Sequence, residues 1–430
     1  MIAANIGKVF LCAYNEKHKS NYSAKEFFVE KYFRLFFDDE KYMQWITNSP
    51  FVQGIKKGVA PTSDERKLKL DTLIEKITTN DADASIAIGF PSLDVTATTS
   101  GQITNMKLPL KEEDVYLSWI GSGFGIGVQS GLSMFFDNKQ ILLDTYEGWE
   151  HYRGYLNKLP QLRGNQINTW NGQWIAHRYN GDSYDELRPL ASFDPYGTKN
   201  GDMEVTTQSW LKVLIGIARN YPDSTITAYV YSLGQTNITV GFIPFELPKI
   251  RSPFELYAKY FGQSNKNLSE NLFGTAIGFT KACQMGAIGV NALEPKGFRD
   301  CLDKGVMPKY NDDEEKRINF NTYQIWLLSM LNNEELWDKS IQIATALNKY
   351  SASDKNAKKT KSQEVVNLLK SVNRKQFIEG MALIVSGNQD IILSVVLIDA
   401  VKLVHDMPVD NVPYFLTLVR FQYVVVNQKS

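Results

Sequence analysis

TITAYVYSLGQTNITVGFIPF, residues 225–245, alternates apolar and polar side chains through TITAYVYSL (225–233) and again through NITVGFIPF (237–245), with LGQTN at the joint. Successive side chains of a strand point to opposite faces, so this pattern predicts a β-hairpin. Pro244, Pro248 and Pro253 follow and are expected to close it, because proline cannot donate to a sheet ladder. Past residue 317 the period changes. Segments 321–349, 362–386, 390–406 and 411–427 carry apolar residues at helical spacing, and the short polar joints between them predict an antiparallel bundle. MPVDNVPYFLTLVRFQY (407–423) has a clear helix start, with Asp410 or Asn411 as cap and Pro413 in the first turn. The expected fold class is α+β: an irregular mixed N-terminal body over 1–316, with a hairpin or small sheet, then a C-terminal α-helical bundle over 317–430. The acidic loop NDDEEKR (311–317) marks the boundary.

Upstream of the hairpin, the first eighty residues look helical. YSAKEFFVEKYFRLFFDDEKYMQWI (22–46) follows helical spacing with Ser23 as a cap, and its aromatic stripe reads as core or as a subunit contact. A polar connection, KKGVAPTSDERKLK (56–69), leads into a second helix begun by Ser63 or Asp64, and SIAIGFP (85–91) has the apolar, β-branched look of a strand. Residues 92–210, rich in Gly, Asn, Trp and Tyr, read as an irregular, loop-rich region, and long loops of this kind tend to carry function.

Composition narrows the function classes. Among 430 residues, 47 basic side chains balance 47 acidic ones, so no global field drives the chain onto nucleic acid or anionic lipid. Three cysteines (Cys12, Cys283, Cys301) have neither disulfide-framework nor metal spacing, which suggests a reducing cytoplasm. The longest apolar run, IILSVVLI (391–398), is less than half a membrane span, and the N-terminus lacks secretory-signal organisation. A soluble, cytoplasmic protein is expected.

No catalytic constellation stands out. IGSGFGIGVQSG (120–131) is glycine-rich, yet its glycines do not fall at i, i+2 and i+5 as a dinucleotide fingerprint requires. Gly123, Gly125 and Gly127 read either as a tightly packed turn or helix start, or as a loop laid against a polyanion or a partner backbone. His18, His151, His177 and His405 lack zinc spacing. Glu-x-Lys pairs at Glu65–Lys67, Glu294–Lys296 and Glu314–Lys316 leave a metal-dependent nuclease as an alternative, although none follows a strand ending in Asp. Glu147 and Glu150, at i and i+3, are expected to share a helix face, and nothing marks them as an acid/base pair. No metal or other cofactor is expected.

Two polar features remain. LRGNQINTWNGQWIAHR (162–178) sets Arg163, Asn165, Gln166, Asn168, Asn171, Gln173 and Arg178 among Trp170 and Trp174. Amide and guanidinium side chains read base edges through paired hydrogen bonds, but the same composition occurs in structural corners. Residues 338–376 hold nine basic and three acidic side chains, an excess of six positive charges. Within that segment SASDKNAKKTKS (351–362) reads as a mobile basic loop. Lys355, Lys358, Lys359, Lys361, Arg374 and Lys375 are then candidates for backbone contacts with a nucleic-acid strand, against the simpler reading of a solvated face.

The chain resembles the large subunit of type I CRISPR Cascade complexes, closest in style to subtype I-B and its transposon-associated variants. WIGSGFGIGVQSGLSM (119–134), TYEGWEHYRGYLNKL (145–159), RGNQINTWNGQWIAHR (163–178), FIEGMALIV (377–385) and MPVDNVPYFLTLVRFQY (407–423) carry the resemblance. It implies a non-enzymatic antiviral-defence subunit at the foot of a ribonucleoprotein, near the guide-RNA handle. The N-terminal body would read the protospacer-adjacent motif in duplex DNA, and the bundle would support the displaced strand of the R-loop. Guide pairing carries the longer sequence specificity in such systems. Partners so implied are the guide RNA, other Cascade subunits, target DNA and a downstream helicase–nuclease or transposition adaptor, with no membrane. Loops 120–131, with Gln129, and 163–173 are the expected motif readers. The remaining alternative is a structural interaction protein docking through helix 22–46.

Overall fold

A computed structural model describes residues 1–47, 49–56, 59–79, 86–90, 111–181, 183–221, 224–232, 239–262, 277–354 and 357–428. The fold class is α+β, with small antiparallel sheets and a C-terminal region of helices. The chain forms two compact units, Met1–Leu247 with Cys283–Ala287, and Pro248–Ala282 with Ile288–Ser430. This division precedes the 316/317 boundary expected from periodicity. The reason is that residues 288–316 are tied to the later helices: Trp326 Nε1 donates to Val290 O at 2.9 Å, and the buried Phe298 packs on Trp326 with ring centroids 5.1 Å apart. Among the described residues no helix is long and apolar enough to cross a membrane.

In the first unit, α1 (Ile2–His18) lies along α4 (Glu112–Ser122). Between them α2 (24–36) is α-helical at Ala24–Phe27 and Phe33–Phe36, with a π-helical turn at Phe28–Tyr32, and α3 spans Ser63–Thr79. Ser23 and Glu26 form a reciprocal capping box at the start of α2. The helix expected to run to residue 46 ends at Phe36, where the next residue turns to φ −131°. Its aromatic stripe is core. Phe27, Phe28, Tyr32, Phe33, Phe36 and Phe37 are all buried, with Tyr32 stacked on Phe36 at 4.1 Å and Phe37 on Phe51 at 4.2 Å. Trp45, beyond the end of the helix, is an exposed member of the expected stripe. Residues 86–90, expected as strand, form turns instead, because their main chain bonds to α4: Trp119 Nε1 donates to Ile86 O at 2.7 Å, and Ile88 N donates to Ser118 Oγ at 3.0 Å.

The four-stranded antiparallel sheet has the order β1–β2–β5–β6, from Ile126–Val128, Leu132–Phe136, Thr225–Ser232 and Thr239–Glu246. The expected hairpin is β5–β6, paired Ile226↔Phe245 and Ala228↔Ile243. Its connection, 233–238, lies outside the described residues. Ile226, Ala228 and Val230 are buried, as the alternation requires. Pro244 sits inside β6 rather than closing it, which an edge strand permits. Where the sequence reads as loops over 92–210, the described part is largely regular. α5 (Lys139–Lys158), α6 (Ile167–Arg178), the β3–β4 pair (Tyr196–Lys199, Asp202–Val205) and the start of α7 (Trp210–Asn220) fill it. Its tryptophans are packing residues, and so are some of its Gly and Asn: Trp119, Trp149, Trp170 and Trp174 are fully buried, as is Asn171, and Gly148 lies against Trp174.

In the second unit, α8 (Leu247–Phe261) and the short helices α9 (Phe279–Gln284) and α10 (Arg299–Asp303) precede six longer helices. These are α11 (Glu314–Leu331), α12 (Glu335–Ala352), α13 (Lys358–Leu369), α14 (Arg374–Ser386), α15 (Ile391–Asp406) and α16 (Val412–Gln428). Two segments expected as single helices are each broken by an asparagine. Asn332 ends α11 in the left-handed region (φ 49°), and Asn373 caps α14 by accepting from Gln376 N.

Glycine sets the tightest joints of the first unit. A Cβ on Gly121 would overlap Ala3 O, one on Gly7 would overlap Leu117 O, and one on Gly172 would overlap Gly127 O. Gly154, within α5, has open space around it. Gly121→Ala and Gly172→Ala should each destabilise the chain by about 1–3 kcal/mol through overpacking. Gly154→Ala should instead be neutral or stabilising by up to about 1 kcal/mol. Urea unfolding of the three variants checks this contrast.

Candidate functional site

The glycine string and α6 meet each other rather than a surface. Gly123, Gly125 and Gly127 are buried. A Cβ on Gly123 would lie 2.8 Å from the Trp149 ring, and one on Gly125 2.7 Å from Ser133 Oγ. Asn171, fully buried on α6, locks this contact: its Nδ2 donates to Gly123 O at 2.7 Å and Gly125 O at 3.0 Å, and its Oδ1 accepts from Trp149 Nε1 at 3.2 Å. Other candidate readers are similarly engaged. Gln166 Oε1 accepts from Val205 N at 3.0 Å, and Asn168 Nδ2 donates to Tyr231 OH at 3.4 Å. Gln173 Nε2 donates to Thr206 O at 2.7 Å, and its Oε1 accepts from Gln208 Nε2 at 3.0 Å.

Three candidates point outward. Gln129 is exposed on the tight β1–β2 turn, where Ser130 (φ 73°) and Gly131 (φ 67°) are both left-handed. Arg163 is exposed beside Glu204, with N···O 3.7 Å. Asn165 is exposed at φ 61°, its N–H donating to Tyr42 O at 2.8 Å. His151 lies against Trp174, and His177 Nε2 is 2.8 Å from Pro189 O; burial lowers the pKa of both. Both histidines thus have structural partners.

The first unit also holds a polar cleft of 610 Å³, a ligand-sized volume, lined by Gln140, Asp144, Arg178, Tyr179, Tyr184 and Tyr221 among others. Buried Asp144 is its hub. Oδ1 accepts from Gln140 Nε2 at 2.9 Å and Arg178 Nη2 at 3.2 Å, and Oδ2 accepts from Tyr179 OH at 2.8 Å. Arg178 also lies 3.3 Å from Glu147 Oε2 and donates from Nη1 to Tyr184 OH at 2.6 Å. Burial opposes the charge on Arg178, but Asp144, Glu147 and Tyr184 outweigh it, and its pKa is raised. Burial, then the Asp144 charge, holds the Tyr179 phenol far above its ordinary pKa, so it remains a donor. Sequence reading singled out Arg178 and Glu147 but missed the hub. The signal available was the spacing of Gln140, Asp144 and Glu147, which places all three on one side of α5.

In the second unit the expected basic loop is mostly helix. α12 runs to Ala352 and α13 starts at Lys358, so lysines 358, 359 and 361 lie in the first turn of α13; Lys355 falls outside the described residues. Lys358 and Lys359 are exposed. Lys361 Nζ donates to Ser353 Oγ at 2.9 Å and sits 4.9 Å from the Tyr350 ring centroid. Arg374 is engaged internally, donating to Val404 O at 3.2 Å and to Met407 O at the end of α15. Lys375 is exposed, with Glu379 3.8 Å away. Beyond these charges, α15 buries only Leu393, Leu397, Ala400 and Val404. Its other face exposes Ile391 (81 %), Ile392 (80 %), Val395 and Ile398, with Leu383 of α14 exposed as well.

The Glu-x-Lys carboxylates are dispersed. Glu65 accepts from Thr62 N at 2.7 Å at the start of α3, Glu294 is buried against Arg299 at 2.6 Å, and Glu314 opens α11. Among the described residues no group of three His, Cys, Asp or Glu side chains is placed to hold a metal ion. No protein-family model, curated protein or solved structure matches the chain.

Asn171→Ala leaves Trp149 Nε1 and two buried carbonyls unpaired, and should lower stability by about 1–3 kcal/mol. Gln129→Ala and Arg163→Ala, both on the surface, should stay within about 0.5 kcal/mol of the parent chain. Chemical denaturation of the full chain separates the two classes.

Proposed function

We propose that the chain is a non-catalytic large subunit of a cytoplasmic, RNA-guided DNA surveillance complex of the Cascade kind. In this reading it binds guide RNA and neighbouring subunits, engages duplex DNA beside the target, and holds the displaced strand for a helicase–nuclease or transposition adaptor. The observation that carries the reading is the α15 face. Monomeric proteins rarely leave a contiguous apolar surface of this kind in water, and such patches mark protein interfaces. A subunit with both an apolar face and exposed lysines fits an assembly that joins protein to a phosphate backbone. The mixed body followed by helices is also the organisation that the resemblance implies.

Within this proposal the roles of individual residues are redistributed. Asn171, Gln166 and Gln173 serve the fold, because their amides are already bonded to the protein. Gln129, Arg163 and Asn165 are the surface groups of the two loops that duplex DNA would meet. Lys358, Lys359 and Lys375 are the candidates for backbone contact. The exposed Lys375–Glu379 pair is weak enough to yield to a phosphate.

Co-expression with a guide RNA and type I Cascade backbone subunits tests the proposal. The chain should copurify with that ribonucleoprotein and increase its affinity for target duplex. Ile392→Asp with Val395→Asp should abolish copurification while leaving the melting temperature of the isolated chain unchanged. Lys358→Glu with Lys359→Glu should keep the assembly intact but weaken DNA binding on every target, with a salt dependence shallower by about one slope unit per lost phosphate contact. Absence of association overturns the proposal. So does magnesium-dependent DNA cleavage by the chain alone that a single carboxylate substitution removes.

A further inference from the structure

The 610 Å³ cleft of the first unit has a saturated floor and an unsatisfied rim. On the floor Asp144 accepts from Gln140, Arg178 and Tyr179, and Arg178 is held further by Glu147 and Tyr184 OH. Lys17 Nζ donates to the other oxygen of Glu147 at 2.8 Å. Two carboxylates and two cations are thus matched there. The rim differs. Glu186 is exposed, and among the described residues no donor bonds to its carboxylate. Gln140 spends Nε2 on Asp144, and Asn220 at the end of α7 spends Nδ2 on Gly216 O at 2.9 Å, so each amide leaves its oxygen open. Tyr184 OH accepts from Arg178 and keeps its own hydrogen to give. The rings of Tyr184 and Tyr221 line the same space, as does Arg219, which has a partner within the protein.

A pocket of this size with a few convergent polar groups is the usual form of a small-molecule site, and its open groups state what it takes. A carboxylate only accepts, so Glu186 calls for donors, and the two oxygens of one carboxylate suit two neighbouring hydroxyls. The amide oxygens call for N–H groups, and the tyrosine rings for a flat, weakly polar surface. A cationic amine would satisfy Glu186 but would share the cleft with Arg178 and Arg219. An anion would share it with Asp144 and Glu186. A neutral ligand meets neither repulsion. We infer that the cleft binds a ribonucleoside, its ribose diol donating to Glu186 and its base lying among Tyr184, Tyr221 and the amides of Gln140 and Asn220. A sugar without a base would leave the rings and the amide oxygens unused. This site does not depend on the functional reading above.

Ligand-observed NMR titration of the full chain tests this, with adenosine and uridine as probes. At least one of them should bind, and its 2′-deoxy form should bind roughly tenfold or more weakly, as loss of a hydrogen bond to a charged acceptor requires. Glu186→Ala should bind the ribonucleoside no better than the deoxy form, so the preference disappears. Glu186 is exposed and unbonded, so the unfolding midpoint of that variant should match the parent's. The comparison of ribo and deoxy forms on the parent chain stands whether or not the variant folds. Failure of both nucleosides to bind at millimolar concentration overturns the inference, as does equal affinity for the deoxy form or a preference that survives in Glu186→Ala. Tighter binding of adenosine 5′-monophosphate would make the cleft an anion site, and tighter binding of spermidine a cation site. Methyl glucoside binding as tightly as adenosine would make it a sugar site. Each of these three results also overturns it.

Discussion

Main chains in the first unit approach one another more closely than any Cβ allows, and most of its architecture follows from that constraint. α1 and α4 touch through Gly7 and Gly121, so Leu117 O and Ala3 O lie where side chains would otherwise stand. β1 crosses α6 through Gly127 and Gly172, and α5 meets α6 where Gly148 admits the Trp174 ring. Each contact brings polar backbone into the interior, where unpaired groups are costly. Asn171 resolves one such case by donating to two carbonyls of the glycine string while holding the Trp149 indole. Close approach, buried amide and large aromatic therefore act as one device. The aromatic cluster of Phe10, Phe36, Phe124 and Trp149 can fill the remaining volume because the helices around it are already fixed in distance.

The sequence made some of this legible and concealed the rest, for physical reasons. The β5–β6 hairpin was readable because one face is buried and the other is wet, so polarity alternates with the side chains. Ser23 was readable as a helix start because the cap is local. Over 111–210 the same reasoning misleads. Glycine and asparagine signal turns when nothing covers them, as at Gly131 and Asn200, but Gly121, Gly148, Gly172 and Asn171 lie inside helices where a neighbouring backbone or ring needs their shape or their hydrogen bonds. Composition also cannot separate an amide that reads a ligand from one that reads its own protein. Asn171 and Asn165 stand six residues apart, yet one is fully buried and the other exposed. The Asp144 cleft was harder still, since its hub and partners come from α5, from the end of α6 and from Tyr221, whose proximity only the fold creates.

The second unit places two groups against their usual solvent preference, and the two departures call for different completions. α15 turns isoleucine and valine outward over its first two turns, 391–398, while Arg420 on α16 is buried with no carboxylate paired to it among the described residues. Apolar area in water is non-directional, and any large enough complementary surface satisfies it. A protein partner is the natural completion for α15. A buried guanidinium is the reverse case: its need is local and directional, it cannot be met by area, and a group attached to a macromolecule cannot reach it. The α15 face is thus a feature of the surface, and Arg420 one of the packed interior. Substitutions on the exposed side of α15 leave the buried contacts of Leu393, Leu397, Ala400 and Val404 in place, whereas a change at Arg420 alters the packed interior of the unit.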